Sequence, residues 1–126
     1  MRVYKTPSFA READRLGLTD AEVSAAVREI ESGLIDAHLG AELVKKRVAS
    51  GTKGKRGGFR TVIAWRQGHR CFFMHVFAKG EKANVTEQEA KALKTFGRGL
   101  MAMDEAALDS AVIREKLREV RDVPAS

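Results

Sequence analysis

The spacing of apolar and polar positions changes period twice along the chain. At the start it is helical: Thr6-Pro7 offers an N-cap followed by proline at the first helical position, and Phe9, Ala10, Ala13 and Leu16 fall on one face before Gly17. Thr19-Asp20-Ala21-Glu22 has the form of a capping box, and Val23, Ala26, Val27 and Ile30 continue it as a second buried stripe that stops at Gly33. Ahead of both, Arg2-Val3-Tyr4 can form a short edge strand. The middle shortens to strand length. Residues 44–49, Phe59–Arg66 and Arg70–Ala78 are rich in β-branched and aromatic side chains and bounded by glycine, which predicts a three-stranded antiparallel meander. Arg66-Gln67-Gly68-His69 is its tight connection, and residues 50–58 (SGTKGKRGG) form a basic loop. Arg70–Ala78 is apolar on both parities, Phe73 and Phe77 against Phe72, Met74 and Val76, as a central strand covered on both faces requires. Helical spacing then returns. Thr86-Glu87-Gln88-Glu89 is another capping box, ahead of a buried stripe of Leu93, Phe96 and Leu100. Asp104 is placed to cap a final helix carrying Leu108, Val112, Leu117 and Val120. The pattern predicts one α+β domain over residues 1–126, with no repeat and no linker.

Composition sharpens this picture in one respect. A chain of 126 residues with 44% hydrophobic and 32% charged residues is globular, and no apolar run approaches the length of a membrane span. No signal-peptide pattern opens it, so the expected location is cytoplasmic. The net charge is +6, but positions 43–82 hold eleven Lys and Arg against one acid, while the rest holds twelve bases and sixteen acids. A field so one-sided attracts polyanions, nucleic acid first.

Several chemistries are absent from the sequence. GTKGKRGG lacks the spacing of a phosphate-binding P-loop, and there is no nucleophile elbow. Cys71 stands among aromatics in mid-strand, where a small buried side chain is expected rather than a nucleophile. His38, His69 and His75 lie in three segments without metal-ligand spacing, so no metal site and no cofactor are expected. His75 has the chemistry of an acid or base but shares a strand with aromatics and sulfurs, which suits a packed core histidine. What remains is cationic. Lys45 and Arg47 are two apart on one strand and therefore share a sheet face. Lys46 points to the other face with Val44 and Val48 and is expected to snorkel at an edge. Arg60 follows a glycine pair at the start of the next strand, and Lys79 follows the third; Lys53, Lys55 and Arg56 flank them from the loop. Brought together, such groups bind a phosphate and stabilise the charge that grows on it in a transition state.

The blocks GLIDAHLG, KKRVA, GKRGGFRT and FAKGEKANV, with the opening YKTPSFAREADRLGLTD, resemble the HigB-type branch of the RelE/ParE toxins of type II toxin–antitoxin modules over nearly the whole chain. The resemblance implies a RelE-like fold: two N-terminal helices on a small antiparallel β-sheet, with C-terminal helices. It implies a metal-independent endoribonuclease, an mRNA interferase that cuts mRNA at the ribosome by attack of the RNA 2′-hydroxyl on the adjacent phosphate. It assigns Lys45, Arg47, Arg60 and Lys79 to catalysis, and Lys55 fits the pattern of the branch; with Lys53 and Arg56 it is expected to bind RNA. It also implies a helix-turn-helix antitoxin of HigA type as partner, contact with operator DNA only through the antitoxin complex, and no membrane partner. Several RelE relatives stack a base on a late aromatic; here no Tyr or Trp follows Trp65, and Phe96 is assigned to a buried stripe. Two other readings stand beside the nuclease: a ParE-like toxin that inhibits DNA gyrase without catalysis, and a non-catalytic nucleic-acid-binding protein.

Overall fold

The computed structural model describes residues 1–49, 58–78, 80–81 and 84–121. Strand β1 (Arg2–Lys5) is followed by helices α1 (Pro7–Leu16) and α2 (Asp20–Glu31). The strands β2 (Ala37–Gly40), β3 (Leu43–Val48), β4 (Phe59–Arg66) and β5 (Arg70–Ala78) come next, and α3 (Glu87–Met101), α4 (Glu105–Ile113) and β6 (Arg118–Glu119) close the order. The architecture is α+β, as expected.

The helix starts are those written in the sequence. Thr6 Oγ1 accepts the Phe9 N–H at 3.3 Å, with Pro7 in the first turn. Thr19 with Glu22 and Thr86 with Glu89 both close as reciprocal capping boxes, and Asp104 accepts from Ala107 N at 2.8 Å. The final helix, however, ends at Ile113 and does not run on through Leu117 and Val120. Leu117 lies five residues past Val112, about 140° round a helix, so it cannot extend the same stripe. Instead the chain turns at Glu115 (φ 59°), which lets Leu117 and Val120 bury in separate clusters. Phe96 is likewise not in the buried stripe of α3 and is half-exposed. The inward positions are Leu93, Gly97, Leu100 and Met101, and a Cβ at Gly97 would meet Ala64 Cβ at 3.4 Å, so α3 settles on its glycine and leaves Phe96 at the flank.

The predicted meander exists, β3 to β4 to β5, all antiparallel, but the sheet is larger and mixed. Its order is β2-β3-β4-β5-β1-β6, and β1 pairs parallel to β5, so β1 is an interior strand and not an edge. Helices α1 and α2 cover one face over Val44, Ile63 and Phe73; α3 and α4 cover the other over Leu43, Val62 and Phe72. A bulge reconciles the two parities of β5. Val62 pairs with His75 but Ile63 with Phe73, leaving Met74 as the extra residue. Phe73 therefore packs with Phe9 under α1, while Phe77, four residues on, emerges on the opposite face beside Arg60.

Candidate functional site

The bulge and the strand alternation together build one cationic surface. Arg47 of β3 pairs directly with Arg60 of β4, and Arg60 with Phe77 of β5; one row along, Lys45 pairs with Val62 and Val62 with His75. Directly opposed residues share a face, so Lys45, Arg47 and Arg60 stand together as expected. They line a cleft of about 270 Å³ whose walls include Val62, Phe77 and Asp36 and whose rim is Asn84 and Val85, just ahead of α3.

Asp36 was not singled out by the sequence, because it lies outside the basic stretch and only one residue ahead of a four-residue strand. In the structure its Oδ2 accepts the Arg47 backbone N–H at 2.6 Å and its Oδ1 accepts Arg47 Nε at 2.9 Å. Burial alone would raise the Asp36 pKa, but these two bonds and the Arg47 charge outweigh it and hold the carboxyl below its ordinary value. His75 is half-buried on the same face, its ring 5.6 Å from that of Phe77.

Part of the charge excess turns out to be structural. Lys46 does not snorkel: it is 2% exposed and donates to Glu29 of α2 at 2.7 Å. Its neighbours Val44 and Val48 sit under the same helix, leaving no sheet edge for the ammonium to reach. Arg66 forms a two-bond fork with Glu42, and Arg70 is buried against the Met103 carbonyl and Glu105. Cys71 is buried, and desolvation pushes its thiol well above the ordinary range, which leaves it inert. Lys53, Lys55, Arg56 and Lys79 lie outside the described residues. Among the described residues there is no cluster of His, Cys, Asp or Glu able to hold a metal ion, and no helix long and apolar enough to cross a membrane.

The described residues form an α+β domain with a cationic cleft on one face of its sheet. Residues 1–120 match the family model described as the RelE toxin of RelE / RelB toxin-antitoxin system, and the chain belongs to that family. It is thereby the toxin half of a toxin–antitoxin module, with an antitoxin as partner. Comparison with curated proteins gives no significant match.

Proposed function

We propose that the chain is an endoribonuclease of the HigB-type branch with a RelE-like fold, an mRNA interferase that cleaves mRNA at the ribosome. The observation that carries this reading is the convergence of Lys45, Arg47 and Arg60, from two adjacent strands, on one cleft. The RNA 2′-oxygen attacks the neighbouring phosphorus as the bond from phosphorus to the 5′-oxygen breaks. A 2′,3′-cyclic phosphate and a 5′-hydroxyl result. One proton leaves the 2′-hydroxyl and one is delivered to the departing 5′-oxygen. Negative charge grows on the non-bridging oxygens throughout, where fixed cationic donors act most strongly. Arg47 and Arg60 suit that task because a planar fork holds two phosphate oxygens at once, and Lys45 adds a compact third charge. On sequence grounds Lys79 joins this catalytic set, with Lys53, Lys55 and Arg56 as RNA contacts from the loop. The reaction calls for no cofactor. The antitoxin is of the helix-turn-helix, HigA-like kind, operator DNA is met only through its complex, and the toxin works in the cytoplasm.

Primer extension on total mRNA after brief induction tests the reading. New 5′ ends inside coding sequence, absent from an uninduced culture, are the expected result. Growth arrest with intact mRNA would contradict it, and a simultaneous loss of DNA supercoiling would point to gyrase.

A further inference from the structure

Among the described residues that line the cleft, Asp36 is the one acid. We propose that Asp36 is a positioning residue for the reaction: it fixes the Arg47 guanidinium against the scissile phosphate, at the expense of some affinity for RNA. The assignment rests on the nuclease reading of the cleft.

Arg47 is half-exposed, near the end of β3, and a side chain with four rotatable bonds at such a place explores many conformers when nothing holds it. Asp36 holds it at two points. One carboxylate oxygen takes the backbone N–H of Arg47 and the other takes Nε, so a ring of bonds closes around the whole side chain. A guanidinium is planar, and capture of Nε sets the plane and leaves the outer Nη edge directed away from Asp36. Arg60 stands directly across from Arg47 in the strand register and lines the same cleft, so a phosphate bound there meets an Arg47 fork oriented in advance beside a second arginine.

A purely architectural role is a poorer account of the carboxylate. The backbone N–H of Asp36 already donates to the Lys45 carbonyl at 3.0 Å, which anchors the start of β2 without the side chain. The charge itself works against anion binding, because a carboxylate lining the cleft repels the phosphate that Lys45, Arg47 and Arg60 attract. A group that opposes binding yet orders a binding residue should therefore affect rate and affinity in opposite directions.

The test is single-turnover cleavage on mRNA-programmed ribosomes, with the dissociation constant for the same complex and a melting curve measured alongside. Asp36→Asn keeps the size of the side chain and removes its charge. The expected result is a rate about 10- to 100-fold lower, the cost of a misplaced reacting group, with binding as tight as before or tighter. In an Arg47→Ala background the same substitution should change the rate by less than about two-fold, because the group it acts through is gone. An undiminished rate, weaker binding, or an equal loss in the Arg47→Ala background would each overturn the assignment. If Asp36→Asn melts below the assay temperature, Asp36→Glu is measured instead. It keeps the charge but displaces the carboxylate, so a slowed rate is expected and an unchanged one refutes the proposal. Failure of the unsubstituted protein to cleave any mRNA defeats the nuclease reading itself, and the role of Asp36 falls with it.

Discussion

Arg60→Ala should abolish most of the toxicity while leaving the fold and antitoxin binding in place. On the proposed reading Arg60 is a preorganised donor to the phosphate, and loss of one such donor lowers the rate on the order of a hundred-fold or more. The side chain is only partly buried, and a substitution at such a position typically costs little stability, so the fold should persist. Arg60→Lys keeps the charge without the fork and should fall between the two. Growth arrest at equal expression, melting temperature and antitoxin binding need to be measured on all three proteins. Full toxicity of Arg60→Ala would remove Arg60 from the catalytic set. An unfolded Arg60→Ala would make the residue structural and leave the site to Lys45, Arg47 and Lys79.

A large loss of stability should come from Glu29→Ala, far less conspicuous in the sequence than any glycine or proline. Glu29 is the partner of the Lys46 ammonium, whose side chain is almost wholly enclosed beneath α2. Without Glu29 that charge keeps its burial but loses its counter-ion. Breaking a buried pair from one side costs about 3–5 kcal/mol, and the partial exposure of Glu29 places this case near about 3 kcal/mol. For a chain of this length the melting temperature should fall by roughly 10 °C. Adding Lys46→Met to the same chain removes the stranded charge and should recover most of that loss, because an apolar side chain of similar length suits Val44, Val48 and the underside of α2. A melting temperature unchanged in Glu29→Ala would mean that Lys46 finds water or another partner.

Lys46 also shows where sequence stops informing on structure. Alternation along β3 correctly sends Lys45 and Arg47 one way and Lys46 the other, since that depends only on the two-residue period of a strand. What Lys46 meets there depends on α2, fifteen or more positions earlier, and no local pattern records that helix-to-sheet contact. The same division runs through the fold. Caps are local exchanges of hydrogen bonds, and Thr6, Thr19, Thr86 and Asp104 all act as their spacing says. Strands β4 and β5 have the predicted bounds because glycines and a tight turn delimit them, with Gly68 at φ 69°. Strands β2 and β6, by contrast, are four and two residues long and hold their place through partners distant in the chain. The interior position of β1 follows from β6 on its outer side and its parallel direction from pairing with β5, both partners distant in the chain. In the site, Lys45, Arg47 and Arg60 were legible as a cationic face. Asp36 was not, since its part depends on β2 lying alongside β3, and Phe77 joins the cleft only because Met74 bulges.

The central claim is that the cleft promotes attack by the RNA's own 2′-hydroxyl, and one substitution in the substrate tests it directly. An mRNA carrying a single 2′-deoxynucleotide on the 5′ side of a mapped cut should bind programmed ribosomes and the toxin as the natural mRNA does, because every phosphate remains. It should not be cut at that position, because the nucleophile is gone, while neighbouring sites are still cleaved. Cleavage at the deoxy position at the ordinary rate would show that another nucleophile acts and would contradict the account.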